Sequence, residues 1–216
     1  MIDTARDFGR VTALVVAAGK GERLGGSTPK AFVVLGGRPL LQWSIDVLLE
    51  TVDEVVVALP EGYEAPAGCI GVPGGAQRSH SVRNALAAAS GDVLLVHDAA
   101  RPLISAQIVA DCIAGLEGAD AAIAAARVTD TIKAGGEFVE RTLDRSELWA
   151  IQTPQVFRRA VLERALAQDE AILAAATDDA ALVEAQGGLV RLVSCPATNF
   201  KVTTRDDLRL AESLLC

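Results

Sequence analysis

The stretch TALVVAAGKGERLGGSTPK, residues 12–30, decides the fold predicted for this chain. Its first six residues form an almost unbroken apolar run, which is typical of a β-strand buried on both faces. The run ends in a glycine-rich segment, so the strand leads into a loop before any helix can begin. In open α/β sheets, ligands bind at the carboxyl ends of the strands. The stretch therefore predicts the first strand of such a sheet and, directly after it, a candidate binding loop.

The same alternation of short apolar runs and amphipathic segments continues along the 216 residues. Further strands are predicted at residues 54–59, 69–72, 93–97, 121–126 and 189–194. Helices are predicted at residues 39–50, 78–90, 105–117, 158–168, 178–186 and 204–215, the last opened by a capping box of Thr204 and Asp207. Strands that are apolar on both faces need cover on both sides. We therefore predict an α/β fold, a mostly parallel, Rossmann-like sheet flanked by helices, in a single domain over residues 1–216.

The pattern changes near Val128. The segment TIK at residues 131–133, a turn at Gly135 and Gly136, and EFVERTL at residues 137–143 are typical of a β-hairpin. These residues are too polar for a strand of the central sheet. We therefore predict a β-hairpin arm, at roughly residues 129–150, that projects from the sheet.

Composition narrows the possible functions. The formal net charge of −8 argues against nucleic-acid binding, which needs a basic face, but one local cluster of Lys and Arg could still hold a small anion. The sequence contains no apolar run of roughly 18 residues and no pattern of a signal peptide, so we expect no membrane partner and a cytoplasmic location. The four cysteines form no CxxC pair, so neither a zinc site nor a disulfide framework is predicted.

The glycine-rich loop matches neither common phosphate-binding motif. Leu24 stands where a Rossmann fingerprint needs its third glycine, and Lys20 is followed by Gly21, where a Walker loop needs Ser or Thr. The exposed backbone N–H groups could still hold phosphate oxygens, and Arg23 and Lys30 would suit a polyphosphate undergoing substitution. A surface loop with solvated cations explains the residues equally well at this point.

Two other loops follow predicted strands. In GGAQRSHSV, residues 74–82, Arg78, Ser79 and Ser81 stand at a predicted helix start, which suits either an anion site or an ordinary helix cap. In HDAARP, residues 97–102, Asp98 could engage a ligand hydroxyl or a magnesium ion through water, and Arg101 adds further donors. An aspartate that caps a helix beside a surface arginine is the alternative.

Taken together, these segments resemble the 2-C-methyl-D-erythritol 4-phosphate cytidylyltransferase family. The matching pieces are AAGKGERLGGSTPK, GGAQRSHSV, HDAARP, DTIK, LDR, QTPQ, TDDA and NFKVT, and they follow the family's order between Ala17 and Thr203. The resemblance implies a nucleotidyltransferase-type sheet. It also implies transfer of CMP from CTP to the phosphate of methylerythritol phosphate, with release of pyrophosphate.

The resemblance implies roles for the matching residues on the nucleotide side. Arg23 and Lys30 are similar to the pair that stabilises the pentavalent phosphorus of the transition state. A loop and a neighbouring turn are similar to those that hold the nucleotide, and their residues are Ala17, Ala18, Gly19, Lys20, Gly21, Gly75 and Ser81.

On the acceptor side, the resemblance places Asp98 and Arg101 at the junction of nucleotide and substrate. It implies that Thr131, Arg145 and Lys201 grip and aim the sugar-alcohol phosphate. In the family the hairpin arm reaches into a neighbouring subunit, so the resemblance implies a homodimer in which Thr131 and Arg145 serve the partner's site.

The implied chemistry agrees with the residues present. The attacking phosphate oxygen is already an anion, so no strong general base is needed, and His97 is expected to be a packed histidine. The two phosphate groups repel each other, so their negative charge must be neutralised before they can react. Arg23, Lys30 and a Mg²⁺ ion held mainly by the CTP phosphates would neutralise it. Lys201 and Arg145 would hold the acceptor in line.

Three other functions remain open on the sequence alone. A sister enzyme acting on another polyol phosphate, such as ribitol 5-phosphate, would keep the nucleotide loop and differ around Thr131, Arg145 and Lys201. A catalytically silent nucleotide-binding protein could share the fold, although Arg23 and Lys30 argue against it. A dehydrogenase is weakened by the missing third glycine.

Overall fold

The structure of the protein is a computed structural model that describes residues 8–19, 21 and 28–215. The strands are β1 (Val11–Val16), β2 (Val34–Leu35), β3 (Arg38–Pro39), β4 (Glu54–Leu59), β5 (Ile70–Pro73), β6 (Val93–Asp98), β7 (Ala121–Arg127), β8 (Lys133–Gly135), β9 (Val139–Thr142), β10 (Trp149–Arg158) and β11 (Val190–Ser194). The helices are α1 (Leu40–Thr51), α2 (Arg78–Ala88), α3 (Ala106–Ala114), α4 (Arg159–Leu166), α5 (Glu170–Ala175), α6 (Asp179–Glu184) and α7 (Arg205–Leu215).

A seven-stranded sheet forms the centre of the fold, in the order β11-β7-β10-β6-β1-β4-β5. β1 pairs in parallel with β4 and β6, and β4–β5 and β7–β11 are parallel as well. The predicted mostly parallel α/β sheet is therefore confirmed. It also has the topology in which loops at the carboxyl ends of neighbouring strands meet at one edge.

β10 is the exception to the parallel pattern, and no strand is predicted at its position from the sequence. It runs antiparallel between β6 and β7. Its pairing with β7 shifts register between Ile151 and Gln155, a segment that contains Pro154, which has no N–H to donate. Proline and two glutamines interrupt the apolar run, which is why the sequence pattern hides this strand.

Alternate side chains of the sheet enter two cores. Val11, Ala13 and Val15 of β1 face a core that includes side chains of α1 and α3, while Leu14 faces the core that α2, α4 and α6 cover. Apolar burial on both faces stabilises the sheet, at about 25 cal/mol per Å² of apolar surface removed from water. The sheet is a rigid support for the loops at its edge.

The predicted hairpin is present as β8 and β9, which pair with each other and with no strand of the main sheet. We call residues 128–148, between β7 and β10, the arm. The arm ends at residue 148, two residues earlier than predicted, because Trp149 and Ala150 already pair with β7. Phe138, near the tip, is 78% exposed in this single chain.

Helix α7 begins as the sequence predicts. The Thr204 hydroxyl accepts a hydrogen bond from the Asp207 N–H at 3.1 Å, and the Asp207 carboxylate accepts one from the Thr204 N–H at 2.8 Å. This reciprocal pair is the predicted capping box. Within the described residues, no helix is both long enough and apolar enough to cross a membrane.

Candidate active site

A cleft of about 750 Å³ lies at the carboxyl ends of β1 and β6. Nine of the residues selected from the sequence line it together: Ala17, Ala18, Gly19, Gly21, Lys30, Gly75, Ser81, Asp98 and Lys201. They come from separate segments of the chain. The sheet edge brings them together, as expected for loops that follow adjacent parallel strands.

The other selected residues lie elsewhere. Lys20 and Arg23 fall outside the described residues. Thr131 and Arg145 belong to the arm, are exposed and do not line the cleft of this chain, and the Arg145 guanidinium donates to the Thr129 carbonyl at 2.6 Å. Arg101 is buried behind the cleft wall rather than lining it.

The glycine loop folds back on Lys30. Pro29 (φ −55°) precedes a 3₁₀ turn, Lys30–Phe32, whose first N–H donates to the Gly19 carbonyl at 3.3 Å. Gly21 has φ +70°, and a Cβ atom there would lie 2.7 Å from the Cβ atom of Lys30. Glycine is thus required by both conformation and space, and the close approach fixes the base of the Lys30 side chain beside the loop.

A second turn packs against this loop. The Gly74 N–H donates to the Leu59 carbonyl at 2.7 Å, at the end of β4. The Ser81 hydroxyl accepts from the Gly75 N–H at 2.9 Å and donates to the Gln77 carbonyl at 3.3 Å. Ser81 therefore shapes the turn, and the side chain of Gln77, the N-cap residue of α2, makes no capping hydrogen bond.

Four charged side chains form a continuous series that ends in the cleft. Asp179 Oδ2 lies 2.5 Å from Arg78 Nη1, Arg78 Nε lies 3.2 Å from Asp98 Oδ1, and Lys201 Nζ lies 2.7 Å from Asp98 Oδ2. We call Asp179, Arg78, Asp98 and Lys201 the ion chain. Both carboxylate oxygens of Asp98 are engaged within it, so Asp98 reaches the cleft already paired.

The sequence offers Arg78 only as part of a possible anion site at a helix start, and it assigns no site role to Asp179; the structure places Arg78 in the lining of the cleft. Arg78 stands at a predicted helix start and Asp179 lies in the TDDA segment, but 101 residues separate them and no local pattern links them. The one usable signal is the pair of adjacent acids Asp178 and Asp179 at a helix start. Only Asp178 caps α6, by accepting from the Ala181 N–H, which leaves Asp179 for another role.

The ion chain keeps its central members charged. Burial favours the neutral form of Asp98, but the positive charges of Arg78 and Lys201 outweigh it and hold the pKa of this carboxyl well below its usual range. Burial likewise opposes the charge on Arg78, yet Asp179 and Asp98 together raise the pKa of its guanidinium. Arg78 and Asp98 therefore stay paired as charges at any physiological pH, whereas burial raises the pKa of the Asp179 carboxyl and the charge of Arg78 opposes that rise.

His97 and Arg101 support this wall from behind. His97 is fully buried, with Nδ1 3.1 Å from the Thr153 hydroxyl and Nε2 3.3 Å from the Arg101 carbonyl, and its burial lowers the pKa to about 4. The Arg101 guanidinium donates to the carbonyls of Asn199 at 2.8 Å and Ile151 at 3.4 Å. His97 is therefore a neutral packed residue, and Arg101 fixes the segment that leads to Lys201.

Comparisons with known proteins show to which proteins this chain is similar. The family model described as 2-C-methyl-D-erythritol 4-phosphate cytidylyltransferase matches residues 11–216. A protein of that name from Deinococcus radiodurans is 47% identical over 208 residues, covering 95% of this chain and 89% of the relative.

Solved structures give the same result. The crystal structure of 2-C-methyl-D-erythritol 4-phosphate cytidylyltransferase from Thermus thermophilus superposes with a TM-score of 0.82 at 40% identity, covering 95% of this chain and 97% of that one. The enzyme of the same name from Francisella tularensis superposes with a TM-score of 0.81 at 30% identity, covering 94% and 99%.

Proposed function

Because the chain belongs to the 2-C-methyl-D-erythritol 4-phosphate cytidylyltransferase family, we propose that its cleft is the place where two anionic substrates meet. The chain is a nucleotidyltransferase that transfers CMP from CTP to 2-C-methyl-D-erythritol 4-phosphate and releases pyrophosphate. The observation that carries the proposed mechanism is the convergence of Lys30 and Lys201 on the cleft that the glycine loop borders.

The reaction is an in-line substitution at phosphorus. A phosphate oxygen of the acceptor forms a bond to the α-phosphorus of CTP, the bond from that phosphorus to the bridging oxygen breaks, and pyrophosphate leaves with the electron pair. The attacking oxygen carries a negative charge from the start, so no side chain has to remove a proton. Positioning and charge neutralisation therefore supply most of the rate enhancement.

The cations divide between the two substrates in this proposal. Lys30, fixed beside Gly21, neutralises charge that develops on the α-phosphate and the leaving group, together with Arg23 of the same loop. Lys201 holds the acceptor phosphate in line, and its ammonium is aimed by Asp98. The backbone of residues 17–21 and the Gly75 turn hold the nucleotide.

We further propose that the nucleotide brings Mg²⁺ with it. Among the described residues no group of three His, Cys, Asp or Glu side chains could hold a metal, and the cleft carboxylate Asp98 is already paired with Arg78 and Lys201. These residues fit an ion that the CTP phosphates hold, with Asp98 at most an outer partner through water. Such an ion would neutralise phosphate charge.

The arm is proposed to complete the site of a second subunit, which makes the working enzyme a homodimer. Its support is that Thr131 and Arg145, the expected acceptor-binding residues, are exposed on the arm and outside the cleft of their own chain. The exposed Phe138 and Val139 near the arm tip supply apolar surface that a partner could cover. We propose a cytoplasmic location as well, which is consistent with the bacterial enzymes of this family.

Sharing of residues between subunits can be tested by mixing two impaired variants, Arg145→Ala and Lys201→Met, at a methylerythritol phosphate concentration far below the KM of either variant. If the arm serves the partner, a mixed dimer has one intact site, and random re-association restores about a quarter of the wild-type activity. If Arg145 serves its own chain, every site carries a defect and no activity returns. An affinity tag on one variant, which co-purifies the untagged variant only from mixed dimers, checks that subunits have exchanged.

The reaction itself is tested by measuring pyrophosphate release with CTP and each polyol phosphate in parallel. Release is expected with methylerythritol phosphate and not with ribitol 5-phosphate. Pyrophosphate release from CTP without any acceptor would contradict the proposed substrate. Release with ribitol 5-phosphate but not with methylerythritol phosphate would contradict it as well. Removing Mg²⁺ with EDTA in the same assay is expected to abolish pyrophosphate release. Recovery of the activity when excess Mg²⁺ is added supports the proposed cofactor.

A further inference from the structure

The ion chain connects the protein interior to the cleft. The Asp179 side chain is 1% exposed, whereas the Lys201 side chain at the other end is 41% exposed. Arg78 and Asp98 lie between them and link the two through three ion pairs. A group buried behind the cleft is thus connected to a cation that faces the substrates.

Packing alone does not hold Arg78 in place. Its side chain lines the cleft on one side and, together with Asp179, a second cavity of about 200 Å³ on the other. A long arginine side chain beside two open spaces has several rotamers available. The two carboxylates that its guanidinium spans are therefore what selects the observed position.

We propose that Asp179 and Arg78 are positioning residues for nucleotidyl transfer: they fix the Asp98 carboxylate, which in turn holds the Lys201 ammonium at one point in the cleft. The inference rests on the proposed function, because it takes Lys201 to grip the acceptor phosphate. Asp179 itself touches neither substrate and acts only through its neighbours.

Two physical reasons support this role. A lysine side chain has many rotamers of similar energy, so a fixed carboxylate beside its ammonium is needed to hold it in one orientation before the substrate arrives. In addition, an unpaired Asp98 would repel the phosphates. Arg78 cancels that charge, and the buried Asp179 keeps Arg78 from turning toward the phosphates instead.

The test is a pair of neighbouring, nearly isosteric substitutions. Asp179→Asn removes the charge that anchors Arg78. Asp178→Asn, the matched control, alters the same helix start but lies outside the ion chain, where it caps α6 and accepts from Gln155. We expect Asp179→Asn to lower kcat/KM for methylerythritol phosphate by about 10- to 100-fold, the effect of a misplaced reacting group, and Asp178→Asn to remain within about threefold of wild type.

A double-mutant cycle with Lys201→Met separates positioning from general damage. If Asp179 acts through Lys201, the double variant Asp179→Asn/Lys201→Met is no slower than Lys201→Met alone. Losses that multiply in the double variant, or equal losses in Asp179→Asn and Asp178→Asn, would overturn the inference. Wild-type protein that fails to use methylerythritol phosphate would instead contradict the proposed function.

A second variant covers the case in which Asp179→Asn does not fold. Arg78→Lys keeps the positive charge but replaces the guanidinium that spans two carboxylates with a single ammonium, which can pair closely with one of them. The same cycle with Lys201→Met is expected to be non-additive. A wild-type kcat/KM in Arg78→Lys, or multiplying losses in its double variant, would overturn the inference equally.

Discussion

Gly74 lies so close to Ala18 that a Cβ atom on Gly74 would overlap the Cβ atom of Ala18, and it would also lie 3.0 Å from the Leu59 carbonyl oxygen. Gly74→Ala is therefore expected to displace Ala18 and the glycine loop to which it belongs. Overpacking of this kind costs about 1–3 kcal/mol of stability. We expect the KM for CTP to rise about 10-fold or more, measured by pyrophosphate release.

Gly136→Ala is the control for this substitution. Gly136 has no positive φ, and within the part of the chain that the structure describes nothing lies within 4 Å of its added Cβ atom. The Gly136→Ala variant is expected to match wild type both in its midpoint of unfolding and in its KM for CTP. A wild-type KM for CTP in Gly74→Ala would show that the contact between the two loops is dispensable.

Lys30→Ala is expected to lower kcat by about 100-fold or more, because it removes a preorganised positive charge from the cleft. Steady-state assays at saturating substrates measure the change. Arg209→Ala removes a charge from an exposed pair with Asp206 and is expected to leave kcat unchanged. If Lys30→Ala turned over at the wild-type rate, Lys30 would have no part in the mechanism.

Arg145→Ala is expected to raise the KM for methylerythritol phosphate about 10-fold or more and to leave the KM for CTP unchanged, because the proposed role of Arg145 is a charged contact to the acceptor only. Arg141, which is exposed on the same arm, provides the matched variant Arg141→Ala, for which no change is expected. A rise in the KM for CTP instead would show that the arm serves the nucleotide.

His97 gives the protein a defined sensitivity to acid. Its pKa falls from 6.5 in the unfolded chain to about 4 in the folded one, mainly through burial, so the unfolded state binds more protons between these values. The free energy of unfolding therefore has its full value above pH 6.5 and falls as the pH drops toward 4, by about 3 kcal/mol from this group. The Thr153 hydroxyl, which accepts from the Asp98 N–H, can donate only to an unprotonated Nδ1.

Urea unfolding at pH 7.5 and pH 4.5 measures this sensitivity. Wild type is expected to lose more stability between the two values than His97→Gln, whose side chain stays neutral at both. Because buried and paired carboxylates contribute to acid sensitivity in both proteins, the difference between them isolates His97. Equal losses in the two proteins would place the His97 pKa near its ordinary value.

The sequence predicts the parallel part of the sheet well, because β1, β4, β6 and β7 are buried and mostly apolar runs. β10 escapes prediction since Pro154 lies where its pairing shifts register, and a proline within a run argues against a central strand. The carboxyl-end rule and the family resemblance place the cleft-lining residues in the correct loops.

Contacts between distant segments are what the sequence cannot supply. The pairing of Arg78 with Asp179 depends on how α2 and α6 pack on one face of the sheet, and no spacing along the chain encodes it. Arg101 illustrates the same point. Its position after β6 is predictable, but the direction of its guanidinium depends on the Asn199 and Ile151 carbonyls, which belong to other segments.

The pairing of Arg127 with Trp149 has a practical consequence for protein engineering. These two residues face each other across antiparallel strands, with the guanidinium 3.8 Å from the centre of the indole ring, so the arm is an insertion at the end of a β-hairpin. A short turn could therefore replace residues 128–148 without breaking the sheet. Because the proposed dimer and the proposed acceptor contacts both depend on the arm, the protein without it is expected to be a monomer that still binds CTP but binds the acceptor weakly.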